Sequence, residues 1–454
     1  MAVVKRTSQS QAAVVDEGAP LVVTRDRHAN TVAEPNSRPE VEVADEGAPL
    51  LVTRASQPDV EVAELVERAR QLRREFAASS AAVDAQGADP TDNIRRIWEE
   101  GIFRLNVPRA YGGVSEGEIV SEWPQLIEAL TQLCAGEGST GMNFVVQSLV
   151  TREIFHGGHV HSEDRLAPET LRYMASEVLE RGVRLVASNA ETGTTGKVIA
   201  RRVDGGIVVN GTKSFNTNSG NGGYANVGCA LDGVDKGTHH ALIPLDGPGV
   251  TRHDNWDNMG QRATISQHIT YRDVFVRDGW HYHVDGFEPA LIPGVFLLHS
   301  CINLGIGLGA YDAVLDFTRT NHRTLTPGIK DPAQDPLVTR HLGVWSTNLT
   351  AAHALQQNVA ERVAVFEGTR AQVVPLMVDA FKAKVAAINA SLEVAEGLFD
   401  ITGARSTANA VGLDRFWRNA RTFATHDPTD HKLIWIGAYD LAELEPPLMA
   451  VLRV

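Results

Sequence analysis

The chain reads as an α+β protein in three parts: an N-terminal helical domain, a central β-domain and a C-terminal four-helix bundle. Three changes of pattern predict that order. From about residue 60 to 180 apolar residues recur at helical spacing. From about 183 to 285 short alternating runs are separated by Gly, Asp and Asn, the mark of a compact β-domain. From about 290 the helical period returns for four long segments, as in an antiparallel bundle.

The first 55 residues stand apart. DEGAPLVVTR at 16–25 recurs as DEGAPLLVTR at 45–54, and PEVEVADE at 39–46 is echoed by PDVEVAEL at 58–65. Short acidic repeats of this kind bury too little surface to offset their ordering entropy, so a flexible or loosely docked arm is expected. A partner-binding arm is the alternative. The helical domain is placed at 56–182. Within it VAELVERARQLRREFAASSAAVDAQG gives one amphipathic helix and NIRRIWEEGIFRLNVPRAYGG a second, ending at a Pro/Gly turn. WPQLIEALTQLCAGEGSTGMNFVVQSLVTREIF adds buried helix. The β-domain is placed at 183–288, with strands in IVVNG, NVGCAL, HHALIPL and HITYRDVFV. A tight hairpin is expected at Asn210–Lys213, then a polar strand carrying Phe215, Thr217 and Asn218. The bundle takes 289–454.

Composition narrows the function. Apolar content of 43% and charged content of 22% over 454 residues suit a globular protein of several domains. A net charge of −14 argues against nucleic acid as a partner. No run of eighteen apolar residues predicts a membrane span, and MAVVKRTSQSQ lacks the apolar core of a secretory signal. Three scattered cysteines, Cys134, Cys229 and Cys301, give neither a disulfide framework nor a zinc pattern, and a cytoplasmic setting is expected.

The stretch NAETGTTGKVIARRVDGGIVVNGTKSFNTN at 189–218 resembles the middle domain of the acyl-CoA dehydrogenase superfamily, with its TEP-x-x-GS and NG-x-K-x-(F/W)-x-TN text. VPRAYGG at 107–113 and MGQRATISQHITYRDVFV at 259–276 are similar to further motifs of that family, in the right order. The resemblance covers about 60–454 and implies the helical–β–helical fold, a flavin at the β-domain and a homotetramer assembled through the bundle. The usual YEGT, R-x-x-FG and Q-x-x-GG-x-GY motifs are missing. Their places hold His426-Asp427, RTNHRTLTPG (319–328) and LFDITGARS (398–406). LDRFWRNART followed by HDP, together with DNWDNMGQR at 254–262, instead resembles the flavin-dependent monooxygenases of this fold, which include dibenzothiophene, sulfone and alkylamine oxygenases and nitrososynthases. STGMNFVVQSL at 139–149 lacks the histidine that sulfur-oxidising members commonly carry there.

That resemblance implies a two-component enzyme. A separate reductase supplies reduced FMN or FADH2, O2 adds to form a C4a-hydroperoxide, and one oxygen passes to a small organic substrate, at nitrogen or sulfur rather than carbon. An FAD-dependent acyl-CoA dehydrogenase and a non-catalytic ligand-binding relative stay open. By the same resemblance Thr217 approaches flavin N5, Asn189 the pyrimidine edge, and Phe215 and Trp256 wall the ring or the substrate. Arg319 and Arg323 meet flavin phosphate across a subunit boundary. An ordinary strand threonine, a turn-capping asparagine, core aromatics and surface arginines would read alike. His426 is the proton-handling candidate, since imidazole is the side chain that titrates near neutrality; Asp427 would orient it or meet a basic substrate. No metal is expected. HGGHVH at 156–161, His239-His240 and His281/His283 lack defined ligand spacing. GTTGK (193–197) lacks phosphate-loop spacing, and GIGLG (305–309) sits in a helical pattern, where it reads as close packing.

Overall fold

The computed structural model describes residues 59–115, 122–156, 164–191, 197–234, 237–284, 291–366 and 369–447; the arm expected at 1–55 lies outside them. Helix α1 (Val60–Gln86) starts where the Asp59 carboxylate caps Glu61 N–H at 2.9 Å, and stops at Gly87 in the left-handed region, φ 58°. Helix α2 (Thr91–Glu99) is shorter than the sequence suggested. Gly101, at φ 75°, turns the chain into a 3-10 segment before the Pro108 corner is reached. The third expected helix is two, α3 (Trp123–Gly136) and α4 (Gly138–His156). Glu137 between them is extended, and its carboxylate accepts from Ser139 N–H (3.1 Å) and Thr140 N–H (2.7 Å), so the break is a cap of α4. Helix α5 (Pro168–Arg181) ends at Gly182 and leads into the sheet.

Eight strands follow: β1 (Leu185–Ser188), β2 (Ile199–Val203), β3 (Gly206–Lys213), β4 (Tyr224–Leu231), β5 (Thr238–Pro244), β6 (Val250–Arg252), β7 (Ile269–Arg277) and β8 (His281–Val284). Their order is β6-β7-β3-β2-β4-β5-β8, with β1 also on β4. Strands β1 and β2 run parallel to β4 and share one of its sides in succession, at 224–227 and at 230–231. The predicted hairpin is corrected here. The β2–β3 turn falls at Asp204-Gly205, where Gly205 has φ 76°, while Asn210 and Gly211 lie inside β3. The register against β7 slips between Val209 and Gly211, and Gly211 takes φ 137°, so "NG" marks a bulge. The expected polar strand beyond it is instead an irregular turn, because Phe215 (φ 54°) and Asn218 (φ 76°) both leave the β region.

The C-terminal region holds α6 (Leu291–Asn321), α7 (Pro336–Ala364) and α8 (Arg370–Thr402), then α9 (Asp414–Ala424) and α10 (Thr429–Ala442). The last expected helical segment is thus divided at His426-Asp427-Pro428, since Pro428 is poorly placed to continue a helix. GIGLG is a packing stripe, as expected. A Cβ on Gly305 would run into Cys134 of α3, and one on Gly307 would come 2.9 Å from Ser391 Cα of α8. By length and hydropathy Pro293–Asn321 could cross a membrane, but 78% of its apolar window is buried among its neighbours. One core joins the helices, including Leu130, Ile302, Phe381 and Leu398; a second lies on the sheet, including Val186, Ile207, Val227 and Ile243.

Candidate active site

Two groups of the expected residues come together. The first lies where β1 and the turn after β3 meet. Ser188 Oγ donates to Asn216 Oδ1 at 2.6 Å, and Ser214 N–H donates to Ala190 O at 3.0 Å, so Asn189 sits beside the Phe215–Asn218 turn. Buried Lys213 donates to Asn189 O (3.2 Å) and to Glu191 Oε1 (2.7 Å), fixing that backbone. The Asn189 side chain is exposed. Its Oδ1 lies so close over Gly228 that a Cβ there would stand 2.5 Å away. Phe215 is 53% exposed despite its apolar ring, and Trp256 meets it edge to face at 6.0 Å. Trp256 is held in turn by Nε1–H to Gln261 O, 3.0 Å.

Thr217 is buried at the base of this aromatic pair. Its hydroxyl opens a chain the sequence did not reveal. Thr217 Oγ1 meets Ser266 Oγ at 2.8 Å, Ser266 Oγ meets Thr264 Oγ1 at 2.8 Å, and Thr264 donates to Gln261 O at 2.8 Å. Gln261 N–H then donates to Asn419 Oδ1 of α9 at 2.6 Å. A Cβ on Gly260 would strike the Arg418 carbonyl, so this loop lies directly on α9. One hydrogen-bonded path therefore joins Thr217 to the helix that leads to His426.

The second group is at the end of α9. His426 N–H donates to Phe423 O at 2.9 Å, and the imidazole leans on Phe423 (centroids 5.3 Å apart) and His299 of α6 (4.7 Å). Its side chain keeps 45% of its surface open, while Asp427 is 6% open. Nδ1 stands 3.9 Å from Asp427 Oδ1, longer than a hydrogen bond. Asp427 is claimed by two buried lysines instead: Lys384 of α8 on Oδ1 and Lys432 of α10 on Oδ2. Burial would raise its pKa, yet His426 and Lys384 hold the carboxyl far below the usual range. Burial pushes Lys384 down to about 8 against the pull of Asp427. His426 is lowered too, by loss of solvent and by the Lys384 and Lys432 cations, with Asp427 opposing.

Arg319 and Arg323 join neither group. Arg319, near the end of α6, is exposed and stands 3.6 Å from Asp316; Arg323 lies over Gly403 at the end of α8. Among the described residues no cluster of His, Cys, Asp or Glu could hold a metal ion.

The first group suits a flat ring with polar edges. An exposed aromatic at positive φ, a hydroxyl at its base and an amide free to donate and accept would be costly as pure scaffold. Buried Asn218 Oδ1 and Gln261 Oε1 also have no hydrogen-bond partner among the described residues. The chain matches the acyl-CoA dehydrogenase N-terminal domain over 60–173, the middle domain over 186–274 and the C-terminal domain over 297–431. Dibenzothiophene monooxygenase of Rhodococcus erythropolis is 29% identical over 402 residues, 82% of this chain and 92% of that protein. The probable FMNH2-dependent monooxygenase SfnC of Pseudomonas putida is 25% identical over 389 residues, 83% of this chain and 95% of that one. The crystal structure of FMN-bound TdsC from Paenibacillus sp. A11-2 superposes with TM-score 0.77 at 25% identity, over 84% of this chain and 98% of that chain. With three domains matched in order, the chain belongs to the acyl-CoA dehydrogenase superfamily and, within it, to the branch of flavin-dependent monooxygenases.

Proposed function

We propose that this enzyme takes reduced FMN from a separate reductase, uses O2, and oxygenates a nitrogen or sulfur atom of a small organic substrate. One observation carries the choice of oxygenase over dehydrogenase: the state of Asp427. Abstracting a substrate proton needs a carboxylate free to accept it. Asp427 is buried beneath two ammonium groups and held far below the usual carboxylate range, which makes it a poor base. The group left open at this corner is the His426 imidazole.

When bound, reduced FMN supplies the electrons that activate O2. Asn189 would meet the pyrimidine edge, Thr217 would donate near N5, and Phe215 with Trp256 would cover the ring and exclude water. His426, its pKa lowered by its surroundings, would accept or return one proton at the substrate side. FMN is favoured over FAD because an FMN-bound structure and an FMNH2-dependent relative stand among the similar proteins. Arg319 and Arg323 remain candidates for the phosphate of a neighbouring protomer. Leu433, Ile434 and Leu441, apolar yet exposed on α10, support assembly with further copies, as a homotetramer. A cytoplasmic setting, close to a reductase, completes the reading.

The test is anaerobic stopped-flow mixing with photoreduced FMN or FADH2, followed by oxygenated buffer. An oxygen-dependent absorbance band distinct from both flavin states, outlasting free-flavin reoxidation and stronger with FMN, is expected. Reoxidation at the free-flavin rate with both flavins, joined by reduction of a dye with an acyl thioester, would move the chain to the dehydrogenases.

A further inference from the structure

The corner behind His426 holds more positive charge than its one carboxylate balances. Lys384 is 1% exposed and Lys432 2%, both on Asp427, and the space around them is lined by phenylalanine. Lys384 Nζ stands 5.7 Å from the Phe296 ring centroid and 5.9 Å from that of Phe423; Lys432 Nζ is 5.7 Å from Phe296. Ring faces offset part of the cost of a buried ammonium, but among the described residues one of the two cations has no carboxylate of its own. Lys384 has a further partner, His299 Nδ1 at 3.5 Å. An ammonium has only protons to offer, so this approach favours a bare Nδ1, with the His299 proton on Nε2. Burial and the neighbouring Lys384 hold His299 well below the usual histidine range, in keeping with a neutral ring.

We propose that Lys384 and His299 are positioning residues for His426: the ammonium fixes the tautomer and direction of the His299 ring, and that ring, from another helix, fixes the attitude of the imidazole. The geometry is a stack of three. His299 crosses His426 at 63° with centroids 4.7 Å apart, and it crosses Phe423, the other support of His426, at 79° and 5.6 Å. The charged and titratable groups around His426 come from every neighbouring element: His299 from α6, Lys384 from α8, Asp427 from the turn and Lys432 from α10. Two cations against one anion disfavour the imidazolium and lower its pKa, while the ring keeps an open side. Neither Lys384 nor His299 reaches a reacting atom. The inference rests on the proposed proton-handling role of His426.

Histidine NMR on the full, flavin-free chain tests it. In Lys384→Met the His426 titration midpoint is expected to rise by about one unit, a tenfold gain in proton affinity. Lys384→Arg keeps the charge and should hold the midpoint near wild type. His299→Phe keeps an aromatic neighbour but removes the partner by which Lys384 directs it, and should change the ring attitude of His426, read from its side-chain NOEs to Phe423. A midpoint unmoved in folded Lys384→Met, or, if that variant does not fold, a His426 ring attitude unmoved in His299→Phe, overturns the proposal. The wild-type chain goes to the stopped-flow assay. A midpoint shifted in Lys384→Met with no oxygen-dependent band in the wild type upholds the positioning and removes the oxygenase reading; a wild-type band with an unshifted midpoint in Lys384→Met sinks the positioning alone.

Discussion

At the scale of single residues, Asp427 shows how burial decides a role. On sequence it reads as a partner for His426 or for a basic substrate; in the fold its oxygens are spent on Lys384 and Lys432. Asp427→Asn would leave two ammonium groups in an apolar corner without a counter-charge, and should lower stability by about 3–5 kcal/mol. Urea unfolding checks this: a midpoint within error of wild type would return Asp427 to the role of a substrate contact. Little of this was legible in the chain. His426 and Asp427 are adjacent, so the sequence could nominate both, but Lys384 lies 43 positions away from Asp427 and is drawn in by helix packing. His299 is farther still, hidden in an apolar helix that reads as core. Thr217 was nominated by its motif, whereas its partner Ser266, 49 positions on, carries no local mark.

Among elements, patterning set the helices and strands well and their ends less so. Helix α1 and strands β3, β4, β5 and β7 fall where the pattern puts them: α1 buries one face, whereas β4 and β5, buried at five successive residues each, read as short apolar runs. The errors share a cause: a residue whose usual meaning was overruled by a neighbour. Asn210-Gly211 has the text of a hairpin, but Asp204-Gly205 already supplies the turn, leaving the second pair to bulge against β7. Glu137 sits in a helical run and becomes a cap because flanking glycines free it to do so. Glu128 of α3 shows what binds elements across the fold: it meets Arg70 of α1 at 2.9 Å and His353 of α7 at 2.9 Å. Burial would raise it, but those two partners bring it down to about 2. A lowered carboxyl gives its stabilisation in full above the unfolded value near ~4.3 and loses it as pH falls towards 2. Glu128→Gln should therefore cost about 1–2 kcal/mol at pH 7, discounted for the half-open Arg70, and progressively less between pH 5 and 3. Parallel chemical unfolding across that range reads it; a cost independent of pH would mean shape, not charge, holds the three helices.

For the molecule as a whole, the question is where its folding unit begins. The family match starts at residue 60, the first buried apolar side chain among the described residues is Val62, and α1 already has its own cap in Asp59. Everything the candidate site uses, from Asn189 and Thr217 on the sheet to His299, Lys384 and His426 among the C-terminal helices, comes from within 59–447. Those parts depend on one another: the hydroxyl path from Thr217 ends on Asn419 of α9, and Gly260 leaves no room between its loop and that helix. The site therefore stands or falls with the joining of sheet and helices. A chain beginning at residue 56 should keep its thermal midpoint within about 2 °C, since short acidic repeats of this composition bury little apolar surface. It should also give the same oxygen-dependent band with reduced FMN. If the repeats dock a reductase, the loss will show only when flavin is delivered by that protein and not when it is supplied free. A truncated chain that fails with free reduced FMN would place the arm in the catalytic unit, and the boundary of that unit would move to the first repeat.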